Sequence, residues 1–453
     1  MPRSGYQTEG LNHQRSRRHG ASAGISGVRC LAIYAVVLLA LTAAVQRMSP
    51  HVTSRLATIG SLAERGTFAI DDSPYSDTVD KIQIDGRFYS HQPPATAVIG
   101  AAIYYPLHWI GMRLNPANPS TYVLLTFLLN GMATLAAVVF FNRHLRFSDV
   151  PPEWRFAVTA TLACATLIFP YSTTLNSHGL CAALTAIGVC CFVRSLEGEQ
   201  DRTAAAASGL AFSLAAAADH AMLIVFGVFA LCLLVRPRQR GLMVWYLAPA
   251  LVVLGTTFAY YFTIGHSARP FAARPELFAY PGSPWVATGE STARLTGASR
   301  NSLPFAVKYG FLMLFGKRGF LLYNSLACIA IYGVVKNVFA RGKYWRESLG
   351  VLTGSLLIVG YYAFSSANFS GASYSIRWFV PLLPLWWFFG APVVNGIPGW
   401  QRWQRVLLLG VCALSLFYAF AGTLNQWPEE WFGWRLPLES IQTTFHRKLF
   451  VPY

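Results

Sequence analysis

Apolar residues run in long, nearly uncharged stretches along this chain. They cover residues 28–46, 121–141, 156–171, 242–265, 320–335, 349–364, 380–394 and 406–424. A helix crossing the hydrocarbon core of a bilayer needs about 20 such residues. One run could be a buried core helix, but eight cannot fit in a single soluble domain of this size. The pattern predicts an all-α, polytopic transmembrane bundle.

The segments between the runs set the threading. Residues 143–155, 194–202, 236–240, 336–346 and 402–405 are short and basic, and short basic loops mark the cytoplasmic side. Placing them all inside leaves 51–94, 171–178, 266–301, 365–377 and the tail after 424 outside. Two ambiguous stretches then resolve. Residues 203–235 are too long for one crossing and have basic flanks at both ends, so they read as a hairpin turning at Asp219-His220. Residues 95–113 look apolar enough to cross, yet a crossing there would put 143–155 outside. With Pro106, His108 and a cluster of Tyr104, Tyr105 and Trp109, this stretch reads as an interfacial or re-entrant helix. About eleven crossings result: 28–47, 121–142, 156–173, 177–194, 203–218, 220–235, 242–265, 320–337, 348–365, 378–395 and 405–424. A basic cytoplasmic tail (1–27) precedes the transmembrane domain (28–424). Residues 28–46 read as a signal anchor, with a cleaved signal peptide as the alternative. The domain carries a first outer loop at 48–118 and a second at 266–319, and an extracytoplasmic tail (425–453) follows.

Composition agrees. Only 12% of the 453 residues are charged and 54% are hydrophobic. The net charge of +17 would suggest nucleic acid in a soluble protein, but no nucleic-acid motif accompanies it. Here the basic residues are topology signals and lipid-headgroup contacts. The eight cysteines lie in or beside apolar runs without a CxxC pair or zinc spacing, and read as small core hydrophobes.

Candidate chemistry concentrates in the first outer loop. Asp71, Asp72, Asp77, Asp80 and Asp85 fall within fifteen positions. A general base needs one carboxylate near an acceptor hydroxyl or amine. A solvated loop, or a calcium site built from oxygen ligands, is the competing account, although the spacing is not that of an EF-hand. Residues 54–65 look helical, and 68–70 and 81–85 look extended.

The loop also carries a resemblance. Ser54-Arg55-Leu56-Ala57, Gly66-Thr67-Phe68-Ala69-Ile70-Asp71, Thr78-Val79-Asp80-Lys81 and the run from Asp85-Gly86-Arg87 to Gln92-Pro93-Pro94 resemble the first outer loop of bacterial GT-C superfamily glycosyltransferases. That group includes the protein O-mannosyltransferase-like enzymes and the aminoarabinose transferases of lipid A. Three later stretches match in order: 170–178, 317–323 and 370–384, the last a Gly-rich run leading to Arg377 and two prolines. The sequence departs from the pattern in two places. Pro50-His51-Val52-Thr53 stands where many relatives have an Asp-Glu pair, and Gln92 stands where relatives often have Lys before Pro-Pro.

The resemblance implies transfer of a sugar from a polyprenyl-phosphate donor to an envelope glycolipid, glycan or protein acceptor on the outer face of a bacterial inner membrane. No cofactor is expected, and a divalent metal is left open. A carboxylate would take the acceptor's proton, and cations would stabilise the phosphate leaving group. Asp80 is the first choice of base, because it lies in a packable extended stretch within the Thr-x-Asp-Lys run, and Asp72 is the second. Arg377, Lys308, Arg318 and Arg55 are the phosphate candidates. Arg377 leads, because guanidinium pairs bidentately with phosphate. Tyr89, His178 and Gln92 are candidate substrate contacts, and Asp219-His220 could reach the same place. Each has a plainer reading as a headgroup anchor, an interface aromatic or a hydrogen-bonded structural group. The rival functions are a transporter or flippase, an envelope polysaccharide ligase or polymerase, and an inactive homologue. A transporter would place ionisable residues or broken helices at mid-membrane, whereas here the charges collect at the helix ends.

Overall fold

The computed structural model describes residues 27–44, 48–197, 201–287, 302–371 and 373–427. Both terminal tails and residues 288–301 lie outside the described residues. Helix α1 is Gly27–Ala44. Helix α2, Pro50–Arg65, follows at once, with proline in its first turn and Gly66 ending it at φ 67°, a left-handed cap that glycine adopts without strain. Its Val52, Leu56, Ala57 and Ile59 are buried. The loop then forms a two-stranded hairpin, β1 Lys81–Ile84 and β2 Arg87–Ser90, paired Lys81↔Ser90 and Ile82↔Tyr89. Its turn is Asp85-Gly86 with φ of 50° and 79°, the double positive φ of a tight hairpin. Helix α3, Pro94–Trp109, packs on α2.

The bundle comprises α4 Ser120–Phe147, α5 Pro152–Cys164, the short α6 Ile168–Ser172, α7 Ser177–Leu196, α8 Arg202–Ala218, α9 Met222–Leu234 and α10 Leu242–Gly265. It continues with α11 Leu303–Phe315, α12 Ser325–Phe339, α13 Trp345–Ser365, α14 Arg377–Gly399 and α15 Arg402–Leu424. Helices α7 and α14 form the centre, with 78% and 72% of their apolar windows buried. The outer helices turn apolar side chains outward: Leu251 and Phe262 of α10, Phe311 of α11, Leu356 of α13 and Leu409 of α15 are all more than half exposed. An apolar exterior over a packed interior is how a helix bundle meets lipid rather than water. The protein is an integral, multi-pass membrane protein with a mostly helical fold.

Among the described residues, seven helices are long and apolar enough to cross, or eight if the pair bent by 96° before Ser325 counts as one span. The sequence marks about eleven crossings; each falls on helical structure, but 156–173 is broken between α5 and α6, and α5, α8, α9 and α12 have only 13, 17, 13 and 15 residues. The 203–235 stretch does break at Asp219–Ala221. Helix α3 has 16 residues, about 24 Å at 1.5 Å per residue, and is not among the long apolar spans. Helix α11 lies inside the stretch assigned to the second outer loop. Its apolar run is cut short by the turn at Gly316–Gly319, so it fell below the length that marks a crossing.

A candidate active site at one end of the bundle

A cavity of about 210 Å³ lies where the first loop meets one end of the bundle. Its walls come from the start of α2 (His51, Arg55), the end of the hairpin (His91, Gln92), the start of α7 (Ser177, His178), the α8–α9 turn (Asp219, His220), the end of α13 (Tyr361, Tyr362), the start of α14 (Arg377, Trp378) and Trp427 beyond α15.

Local structure explains each placement. Asn176 caps α7 by accepting from Gly179 N at 2.7 Å, which aims Ser177 and His178 at the cavity. That cap is itself held by Asn130, whose Nδ2 donates to the Asn176 carbonyl at 2.9 Å. Asn130 lies in a π-helical segment of α4, Phe127–Gly131, a widening of the helix common at functional sites. Before α14, Phe369, Ser370, Gly371 and Ser375 all have positive φ. Non-glycine residues hold that conformation only when surroundings enforce it. Here Arg318 donates to the Gly371 carbonyl at 2.6 Å, Ser375 Oγ donates to the Arg318 carbonyl at 3.0 Å, and Tyr171 OH donates to the Tyr374 carbonyl at 2.8 Å. The coil delivers Arg377 buried at the cavity wall.

Asp80 sits behind His51 and His91. Its Oδ2 lies 2.5 Å from His51 Nδ1 and accepts from Gln92 Nε2 at 2.9 Å, and its Oδ1 lies 3.2 Å from His91 Nδ1. Gln92 Oε1 accepts from Arg55 at 2.7 Å, and Arg55 also donates to Ser177 Oγ at 3.2 Å. Arg377 reaches His51 Nε2 at 2.9 Å and lies over the Trp427 ring at 5.1 Å. Opposite, His178 Nδ1 lies 3.1 Å from Asp219 Oδ2. Tyr362 donates to Asp219 Oδ1 at 3.3 Å and stacks flat on Trp378 at 4.2 Å. Burial alone would raise the Asp80 carboxyl, but the electrostatic pull of His51, His91 and Arg55 and the hydrogen bond from His51 hold it well below the ordinary carboxylate range. Burial lowers His51 to about 4, with Arg377 and His91 pushing the same way and Asp80 opposing.

Arg377, Arg55, Gln92, His178 and the Asp219-His220 pair thus line one cavity, and Asp80 lies behind its wall, bonded to His51 and Gln92. The other candidates do not. Asp72 is exposed on the loop. Tyr89 packs in a separate cluster with Ile82 and Phe271. Lys308 lies on an exposed face of α11, and Arg318 braces the coil before α14, neither of them lining the cavity. Sequence reasoning missed His51 and His91. The available signal was spacing: His51 stands four residues before Arg55, on the same face of one helix.

No protein-family model and no curated protein matches this chain by sequence. Solved structures do match its fold. ArnT from Cupriavidus metallidurans, bound to undecaprenyl phosphate, superposes with a TM-score of 0.52 at 13% identity, over 82% of this chain and 60% of that one. The oligosaccharyltransferase of Archaeoglobus fulgidus, in complex with zinc and sulfate, gives 0.53 at 12% identity, over 88% and 54%. This is the GT-C fold. The chain spans little more than half the length of these two GT-C proteins.

The Archaeoglobus structure holds zinc, and the cavity of this chain has a donor set of its own. Among the described residues, His51, Asp80 and His91 place ligand atoms within 4.8 Å of one another, and two imidazoles with a carboxylate are a zinc-type set. The surroundings do not fit. A metal on His51 Nδ1 leaves the ring proton on Nε2, which must then find an acceptor. Here Nε2 faces a guanidinium N–H, and guanidinium accepts nothing. In this arrangement Asp80 is a carboxylate hydrogen-bonded by His51 and Gln92, and a metal on His51 Nδ1 does not fit it.

Proposed function

We propose that this protein is a glycosyltransferase that takes a sugar from a polyprenyl-phosphate donor and passes it to an envelope glycolipid, glycan or protein on the extracytoplasmic face. The observation that carries the reading is the pairing, at one cavity, of two buried guanidinium groups with a buried carboxylate cluster. Nε of Arg55 and Nε of Arg377 are both buried without a hydrogen-bond partner. Buried N–H groups are normally satisfied, so two orphan cationic donors at one cavity suit an anion with several oxygens. The phosphate is that anion, the Asp80 cluster accepts the acceptor's proton, and the Tyr362–Trp378 stack offers a flat face to a sugar.

The connectivity supports the outward-facing reading. The cavity lies at the α7, α9 and α14 starts and the α13 end. Arg194, Arg202 and the basic segments 236–240, 336–346 and 402–405 lie at the opposite ends of these helices and of their neighbours α8, α12 and α15. With the basic ends cytoplasmic, the cavity faces outward. ArnT, solved with undecaprenyl phosphate, supplies a precedent for the carrier on this fold.

Binding of undecaprenyl phosphate to the purified protein in detergent tests the donor half. Arg377→Ala should weaken binding roughly 10- to 100-fold, the range for losing hydrogen bonds to a charged group. Arg377→Lys should fall between, because it keeps the charge and loses the planar fork. Equal affinity in all three proteins would remove the assignment.

A further inference from the structure

The proton released during transfer needs an acceptor that faces the cavity, and Asp80 does not. Its side chain is 3% exposed, with Oδ2 held by His51 and Gln92 and Oδ1 3.2 Å from His91 Nδ1 without an aligned hydrogen bond. His51 lines the cavity, with 28% of its side chain exposed. Its surroundings assign its tautomer. Arg377 can only donate, so Nε2, 2.9 Å away, carries the lone pair. The ring proton is therefore on Nδ1 and is donated to Asp80 Oδ2 at 2.5 Å. Gln92 Nε2 lies 2.8 Å from the same Nδ1 and donates to Asp80 Oδ2 at 2.9 Å while its oxygen accepts from Arg55, so the Asp80 carboxylate is the acceptor that both neighbouring donors share.

We infer that His51 Nε2 is the general base of the transfer and that Asp80 is the residue that positions it. The inference rests on the glycosyl-transfer reading above. In the step, the acceptor's O–H or N–H gives its proton to His51 Nε2 as the acceptor atom bonds to the anomeric carbon. The bond from that carbon to the phosphate oxygen breaks, and its electron pair leaves with the polyprenyl phosphate, held by Arg377 and Arg55. The imidazolium so formed is paired with Asp80, as a buried aspartate supports the imidazole of a hydrolase triad. Arg377 touches His51 in the free protein, so a bound phosphate draws on the same guanidinium that masks the base. Donor binding then both exposes Nε2 and neutralises the cation beside it. The other pair at the cavity, His178–Asp219, is less well built for the role. Its Nδ1 and Oδ2 are 3.1 Å apart, but both remain without an aligned hydrogen bond.

Two measurements on the full-length protein test this. Nitrogen NMR of histidine-labelled protein in lipid nanodiscs reads the tautomer directly, with His51→Gln assigning the signal. A neutral His51 protonated at Nδ1 is expected at pH 7, shifting toward protonation at Nε2 in Asp80→Asn. A proton on Nε2 in the unmodified protein would overturn the inference. The second measurement is release of undecaprenyl phosphate from the lipid-linked sugar fraction of host membranes. His51→Gln should slow release by about 10²–10⁴-fold, the usual range for a lost general base, and His178→Gln by much less. Undecaprenyl phosphate binding should stay within roughly threefold in both. Release near the unmodified rate in His51→Gln would also overturn it. Failure of the unmodified protein to bind undecaprenyl phosphate would instead sink the donor reading. The two failures are distinguishable, because in the first the lipid still binds.

Discussion

At the scale of single residues, protonation decides what the cavity can do. Burial keeps His51 neutral down to about pH 4, and Arg377 and His91 act in the same direction against Asp80. Arg55 stands close by, donating to the His51 carbonyl at 3.2 Å. The pKa is lowered, so the base form is present above it and is lost as pH falls through it. The pH profile of kcat/KM, which reports the free enzyme, should therefore stay flat from pH 7 to about 5 and fall below that. The kcat profile should break at a higher pH, because a bound phosphate offsets the Arg377 charge. A kcat/KM limb at the ordinary histidine value near 6.5 would contradict this environment. Asp72, exposed and outside the cavity, should tolerate Asp72→Asn with little change in turnover, whereas Asp80→Asn should lose about 10²–10⁴-fold. Much of the site was legible at this scale. Asp80 and Arg377 stand out because each sits in a segment whose neighbours are extended, glycine-rich or packable. His51 was visible only as a departure from a family pattern. Nothing in a linear sequence shows that its ring bridges Asp80 and an arginine 326 positions away.

At the scale of elements, small residues set how closely the helices approach. A Cβ on Gly333 of α12 would lie 2.2 Å from the Gly390 carbonyl oxygen of α14, and one on Gly390 would lie 2.1 Å from the Ala330 oxygen. Such backbone contact is how membrane helices gain packing where lipid gives no hydrophobic drive. Gly390→Leu should lower the thermal unfolding temperature in detergent clearly, because overpacking costs about 1–3 kcal/mol or more. An unchanged transition would mean that α12 and α14 do not cross there. Charge sets the lower clamp: Glu347 is fully buried and takes both Arg236 donors at 2.8 Å, tying the end of α9 to the start of α13. The hairpin at Asp219 was readable because length and flanking charge left no other threading. The helix α11 and the π-helical segment of α4 were not readable. The first is shorter than a crossing, and the second depends on Asn130 finding the Asn176 carbonyl, a contact made only in the folded bundle.

At the scale of the whole molecule, the bundle has a basic end and a chemical end. Cysteines introduced at Asn118 and Gln239 should differ: the first should react with an impermeant thiol reagent from outside the cell and the second should not. Protection at Asn118 would require α3 and α4 to be threaded again. The general architecture was legible from apolar runs and basic loops alone. The count of crossings was not, because helices such as α5 and α9 are 13 residues long and hydropathy cannot say whether so short a helix spans. The central claim is that a polyprenyl phosphate docks where the first loop meets the bundle. A structure of the protein in nanodiscs with undecaprenyl phosphate tests it most directly. The phosphate should lie within hydrogen-bond reach of Arg377 and Arg55, beside His51, with the prenyl chain leaving between helices into lipid. A phosphate bound elsewhere, with this cavity holding only solvent, would contradict the account.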